Sequence, residues 1–421
     1  MVLRLFLLPA VFAFAGPPDA VLAKHPGCAA GVLHRDRIVF AGGAGGVTAR
    51  SSFYLASLSK QFTAAAVYTL AEAGQLKLDA PARDWLPGLP IAITVRHLLH
   101  HTSGLRDYSA LQEISGSRDR LDNAAVLAMM NRQHDLNFRP GTEFEYSNSG
   151  YALLGAIVER ASGTTIDAYA RRRIFLPVGM TSSRFHVAAS MDVPPSVGDG
   201  GMYSTVEDLL RWLRAWRRPP LTLRPALEAI WSRARLDSGE AIAHASGLFH
   251  HDEFGRHALS HNGSFGAWST SLLHLPAEDL SVVCLCRTAD RDATAVGREI
   301  TSAVLGLPSP SPPPPAGEAP SPTHSGPVAA FAAAFRNDDL DVVWTLVDDK
   351  GTLYITTAAG WRIPLIRTAP ARFTVGPWTL EFHRDPTGRV YAFDLSRERV
   401  RRLPFTRVPG SAPASAAMSR P

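Results

Sequence analysis

Apolar residues recur at helical spacing over residues 58–73 (Leu58, Phe62, Ala65, Ala66, Leu70, Ala73), and Gly74 supplies a stop. The same period predicts helices over 122–132, 152–161 (ended by Gly163) and 290–305. A further helix runs to Trp216 behind a capping box of Thr205 and Asp208. Between these the period changes. Residues 28–33 and 37–41 read as a strand pair around the polar turn His34-Arg35-Asp36, and 268–275 and 280–287 as another around 276–279. Residues 78–90 are irregular and proline-bearing. From 328 to 408 the pattern is one of short alternating strands: 342–347, 352–356, 361–366, 378–383 and 390–395, with turns at 348–351 and 385–388. That is a β-meander, expected to form a small barrel-like module.

The two regions are separated by residues 308–327, rich in Pro and Ser with four consecutive prolines, which read as a semi-rigid linker. Residues 1–23 read as an export signal. Arg4 gives a positive start, 5–15 an apolar core too short to span a bilayer, and Val21-Leu22-Ala23 a small-residue cleavage pattern, with a cut after Ala15 as the alternative. The expected layout is therefore a signal at 1–23, a first domain at 24–307, the linker, a β domain at 328–408, and a disordered tail at 409–421. This places the protein outside the cytoplasm, secreted or periplasmic, with no stable membrane span.

The chain has 421 residues, 46% hydrophobic and 19% charged, an ordinary globular composition, with a net charge of +5. A nucleic-acid partner would need a clustered basic face. Only 397–402 approaches one, and its alternation fits a solvated strand edge. The three cysteines do not make a disulfide scaffold. Cys284 and Cys286 point the same way on one strand, Cys28 can meet Cys284 if their strands are neighbours, and buried free thiols are the default expectation. His97 and His101 lie four apart on an expected helix, which could suggest a metal site, but Leu98 stands where a zinc protease needs Glu, so no metal is expected. The glycines at 42–46 lack the context of a nucleotide loop, and no cofactor is expected.

Candidate chemistry sits at the start of the 58–73 helix. Ser57 and Lys60 are three apart, so the amine can reach the hydroxyl, and a hydroxyl with a base in reach is what a serine nucleophile requires. Lysine is scarce here, four against thirty-nine arginines, so Lys60 is not filler. Downstream, Tyr146 and Asn148 precede a helix, a phenol able to relay a proton and an amide able to bond a substrate carbonyl and the lysine. Then come His261 and Gly263, a donor and a residue that permits close backbone approach, followed by Ser264.

In this order the segment 53–65, Tyr146-x-Asn148 and His261-x-Gly263 resemble the three motifs of the serine β-lactamase and penicillin-binding-protein superfamily, in its class C-like branch with family VIII esterases and D-aminopeptidases. His101-Thr102-Ser103-Gly104, residues 174–180 and residues 199–205 are also similar to that family, whereas the stretches before the nucleophile helix and between 180 and 200 are trimmed. The resemblance implies an α/β (α+β) fold: an antiparallel sheet flanked by helices, a helical subdomain, and the site between them. The C-terminal module resembles the lipocalin-like domains appended to some of these hydrolases. It further implies Ser57 as nucleophile, Lys60 and Tyr146 as proton carriers, Asn148, His261 and Gly263 as substrate-binding, and the backbone N–H groups of Ser57 and Ser264 as oxyanion hole. The expected substrate is a small molecule or peptide with an ester, amide or β-lactam carbonyl, and its choice is expected to lie in the trimmed loop before Gly200. The alternatives are a sensor that is acylated but barely turns over, and a ligand or partner site on the C-terminal module.

Overall fold

The computed structural model describes residues 16–186, 193–288, 290–308, 326–356, 362–411 and 414–415. Positions 1–15 of the expected signal, 187–192 of the trimmed loop, 309–325 of the expected linker, Trp361, and 412–413 and 416–421 of the expected tail lie outside the described residues.

Among the described residues six antiparallel strands form the first sheet: β1 (Cys28–His34), β2 (Arg37–Gly43), β3 (Phe249–Glu253), β4 (Arg256–Phe265), β5 (Trp268–Leu275) and β6 (Leu280–Arg287), in the order β2-β1-β6-β5-β4-β3. Both faces are covered, so β1, one strand in from the edge, is buried along its whole length. Its alternation sorts the residues. Ala29, Gly31 and Leu33 face the helix Val206–Arg217, while Cys28, Ala30 and Val32 join the core under the helix Ala293–Leu305. Gly31 is required there: a Cβ would lie 2.7 Å from side-chain carbons of both Val206 and Leu210.

The main helices are α1 (Pro18–Leu22), α2 (Lys60–Glu72), α3 (Tyr108–Ser115), α4 (Asn123–Asn131), α5 (Asn148–Ser162), α6 (Val206–Arg217), α7 (Arg224–Trp231) and α8 (Ala293–Leu305), with further short helical segments, among them Val95–Leu99 and Ile166–Ala170, between them. α2 is buried from Lys60 to Leu70 and packs on α5 and α7.

Three expectations change. The cysteines are not all free: Cys28 and Cys286 are directly opposite on β1 and β6 and form a disulfide, leaving Cys284 as a buried thiol that pairs with Ala30. Strand order, which sequence does not show, decided which cysteine meets Cys28. The helix Val95–Leu99 ends before His101, whose φ of 57° is left-handed, so His97 and His101 do not share a helix face. Among the described residues no group of three or more His, Cys, Asp or Glu could hold a metal ion. Finally, residues 16–23 belong to the folded unit. α1 packs on α8, Leu22 is buried in its core, and the Gly16 N–H donates to Ala303 O at 2.8 Å.

The C-terminal strands are β7 (Ala333–Asn337), β8 (Val342–Asp349), β9 (Thr352–Thr356), β10 (Arg362–Pro364), β11 (Ile366–Ala369), β12 (Arg372–Val375), β13 (Trp378–Arg384), β14 (Val390–Arg397) and β15 (Val400–Arg407). They pair in the order β10-β9-β8-β7-β15-β14-β13-β12-β11. The two end strands are separated in sequence by Leu365 alone, so the sheet curls into a barrel-like unit. Its core is aromatic: Phe331, Phe335, Phe373, Phe382, Phe393, Phe405 and Trp344. The barrel docks on the helical region. Arg106, 1% exposed, donates to the carbonyls of Arg401 and Arg402 and lies 3.8 Å from Asp339. Arg401 also bonds Glu145 at 2.8 Å and Glu143 at 2.7 Å.

Candidate active site

The chain approaches α2 through a single 3₁₀ turn, Ala56–Ser59, rather than entering an α-helix at once. Ala56 has a left-handed φ of 47°, a strained value for a residue with a Cβ, of the kind that clusters at functional sites. In a 3₁₀ turn residues i and i+3 eclipse. Ser57 and Lys60 are such a pair, and Lys60 Nζ lies 3.2 Å from Ser57 Oγ. Lys60 is fully buried and Nζ donates to two further acceptors, Asn148 Oδ1 at 2.9 Å and the Asp199 carbonyl at 2.6 Å. Nζ thus has three polar partners. Ser57 is half-buried and lines a cavity of about 450 Å³, together with Asn148, Asp199, Ser264 and Phe265.

Asn148 is the first residue of α5 and not part of the preceding loop. Its N–H would be one of the orphan donors of a helix start. It donates to Asp107 Oδ2 at 2.6 Å. Asp107, fully buried, is at the same time the N-cap of α3 through Oδ1. One carboxylate thus fixes two helix starts. Tyr146 sits with its ring centroid 5.0 Å from Lys60 Nζ and stacks on His101 at 4.4 Å. His101 is held by the Ser147 N–H, which donates to its Nδ1 at 3.0 Å. Burial and the neighbouring His244 and Lys60 keep the His101 pKa well below the usual histidine value, so the ring is neutral.

The third motif lies on β4 beyond the point where β3 pairing stops at Ser260. Gly263 is needed for a different reason from the one expected. A Cβ there would come 2.4 Å from Leu55 O and 2.9 Å from Ser57 N, so the glycine lets β4 abut the nucleophile turn rather than substrate. Thr270 on β5 ties the same turn down by donating to Leu55 O at 2.9 Å. Ser264 is exposed beside Ser57 on the cavity wall. His261 is 3% exposed and faces Phe249 and Tyr146, with ring centroids at 5.3 and 6.0 Å. Burial and Lys60 push its pKa down to about 3, so it is a neutral neighbour of the tyrosine and not a cation facing a carboxylate.

The structure therefore brings Ser57, Lys60, Asn148, Gly263 and Ser264 together, with Tyr146 beside the lysine and His261 behind the tyrosine. Three residues were not singled out from sequence. Asp107 follows the His-Thr-Ser-Gly turn and looks like an ordinary N-cap. Asp199 supplies the lysine's third acceptor through its main chain, while its buried carboxyl, raised in pKa by burial, accepts from the Tyr108 hydroxyl at 2.8 Å. Arg399 comes from the barrel, 4.8 Å from the Tyr146 ring centroid.

An antiparallel sheet covered by helices on both faces, a helical region beside it, and a buried Ser-x-x-Lys pair where they meet define the β-lactamase and penicillin-binding-protein fold. The Beta-lactamase family profile matches residues 19–305, more than half of the chain, and the chain belongs to that family. Penicillin-binding protein 4* of Bacillus subtilis (strain 168) is 32% identical over 261 residues, 53% of this chain and 58% of that protein. A D-aminopeptidase of Gluconobacter oxydans (strain 621H) is 27% identical over 290 residues, 62% of this chain and 54% of that one. The chain spans little more than half the length of these curated relatives. The octameric penicillin-binding protein homologue of Pyrococcus abyssi superposes over 91% of this chain and 96% of its own, with a TM-score of 0.58 at 20% identity, a likeness of fold that includes the C-terminal region.

Proposed function

We propose that the protein is a serine hydrolase that forms an acyl-enzyme on Ser57 with a small ester, amide or β-lactam, an esterase or D-amino-acid peptidase activity being favoured. The observation that carries the reading is the 3.2 Å contact between Lys60 Nζ and Ser57 Oγ at the wall of an open cavity. Ser57 Oγ attacks the carbonyl carbon while its proton passes to the neutral form of Lys60. The oxyanion accepts from the N–H groups of Ser57 and Ser264. Collapse expels the alcohol or amine, which takes the proton from Lys60, with Tyr146 beside that path. Water then attacks the acyl ester, the acid leaves, and Ser57 regains its proton. Asn148 holds the lysine and offers its amide to substrate. The D-aminopeptidase relative favours a D-amino-acid amide or peptide.

The test is mass spectrometry of the purified protein mixed with a p-nitrophenyl ester and, separately, a chromogenic cephalosporin. Product release that is lost in Ser57→Ala supports the hydrolase. A persistent mass increment on Ser57 without turnover would point to a sensor, and labelling that survives in Ser57→Ala would remove Ser57 as the nucleophile.

Export to a secreted or periplasmic location is part of the proposal. The Cys28–Cys286 disulfide fits an oxidising compartment, and the folded α1 favours cleavage after Ala15 rather than Ala23. N-terminal sequencing of the mature protein tests this; a start at Lys24 would refute it. No helix of the described residues is long and apolar enough to cross a membrane. The proposed layout keeps a catalytic domain to residue 307, a linker over 308–327 and a β domain over 328–408.

A further inference from the structure

We propose that Arg399, on the β14–β15 turn of the C-terminal barrel, is a positioning residue for Tyr146, so that the barrel completes the active site of the catalytic domain. The inference rests on the roles proposed above for Ser57 and Tyr146.

Two sets of contacts support it. The Arg399 carbonyl accepts from the Asp107 N–H at 3.1 Å and from Asn137 Nδ2 at 3.0 Å. Asp107 then accepts from the Asn148 N–H, Asn148 from Lys60, and Lys60 meets Ser57. Four hydrogen bonds, through Asp107, Asn148 and Lys60, therefore link the turn of the barrel to the nucleophile. The side chain makes the second link. Its guanidinium carbon is 4.8 Å from the centroid of the Tyr146 ring, within cation–π range, and the same ring is stacked on His101. Its side chain is 34% exposed, and its nearest carboxylate is that of its sequence neighbour Glu398, 79% exposed and 3.5 Å away.

Docking alone does not account for this arginine. The interface is already held by Arg106, Arg397 and Arg401, each bonded to a group across it. Arg399 also occupies a left-handed φ of 68° at one of the two turn positions between Arg397 and Val400, where glycine would be the unstrained occupant. A strained arginine whose charge is aimed at a motif tyrosine is costly for a turn and understandable for a site.

That strain supplies the test. Arg399→Gly relieves the backbone and keeps the carbonyl, so a residue that only shapes the turn gives a variant at least as stable and as active as the parent. We expect the thermal midpoint of full-length Arg399→Gly to be unchanged or higher. We expect its kcat on p-nitrophenyl butyrate to fall about tenfold, the size of a partly desolvated cation–π contact. KM should stay within about threefold of the parent value, because the interaction is made to Tyr146 and not to substrate. Arg399→Lys should recover part of the loss. Unchanged kcat, a change confined to KM, or an Arg399→Lys variant no better than Arg399→Gly would each overturn the proposal. Parent activity that persists in Ser57→Ala, or an absence of any Ser57 acylation in the parent, would instead break the underlying reading of the site.

Discussion

Asp107→Ala removes one side chain that ends two helices. Oδ1 caps α3 by accepting from the N–H groups of Ser109 and Ala110, and Oδ2 takes the first N–H of α5. Loss of an N-cap costs about 1 kcal/mol. An orphaned, part-buried donor at Asn148 adds about 1–2 kcal/mol. The total is about 2–3 kcal/mol, which for a unit of this size lowers the thermal midpoint by about 5 °C. The catalytic effect is separate. Asn148 Oδ1 holds Lys60 Nζ, so a loosened α5 start lets the amine drift from Ser57, and a misplacement near 1 Å costs about a hundredfold in rate. Asp122 is the comparison, because it is also an N-cap aspartate, at α4, but its side chain is exposed and accepts from the Ala125 N–H of its own helix. Asp122→Ala should lose about 1 kcal/mol of stability and leave the rate unchanged. Calorimetry and p-nitrophenyl butyrate hydrolysis on the two variants side by side decide the matter. If Asp107→Ala melts within about 1 °C of the parent and keeps its rate, the coupling through Asn148 is refuted.

Other perturbations have clear signs. Gly263→Ala drives a methyl group against Leu55 O and Ser57 N and should lower the rate of Ser57 acylation by about a hundredfold, measured by intact-mass kinetics. Reduction of Cys28–Cys286, or Cys28→Ser, should lower stability by about 2–4 kcal/mol in urea titrations, since the bridge ties residues 258 apart. Stability should also fall on acidification. His261 is held at about 3 and His100 and His274 at about 4, while His101 and His244 lie well below the usual value, with burial the main cause in each. These rings are neutral in the fold and take protons in the unfolded chain below about pH 6.5. Stability is therefore present above that pH and declines toward pH 4, by up to about 1.4 kcal/mol per pH unit for each histidine. Urea midpoints equal at pH 7 and pH 5 would contradict this.

What could be read in the sequence follows from what each feature depends on. The hairpin strands β5 and β6 coincide with the expected 268–275 and 280–287 because their apolar runs and the turn between them are local signals. β3 was missed, since Phe249-His250-His251-Asp252-Glu253 carries no alternation and is an edge strand stabilised by its pairing with β4. The eight-residue helices α3 and α7 are too short for periodicity to declare them. At the site, the residue pair three apart, Ser57 and Lys60, was legible from one turn of helix geometry. Asp107, Asp199 and Arg399 were not, because each reaches its partner, Asn148, Lys60 or Tyr146 in turn, from a distant part of the chain. The histidine shows the same limit in another form. His261 was visible as a residue type at a motif position, but its charge depends on burial by Phe249, Tyr146 and Lys60, which only the packed sheet brings around it. The partners of the buried Lys60 amine are a serine hydroxyl, an amide oxygen and a main-chain carbonyl, neutral acceptors that orient it. Two carboxylates lie close by and neither is hydrogen-bonded to the lysine: Asp107 accepts from the N–H of Asn148, and Asp199 accepts from the Tyr108 hydroxyl.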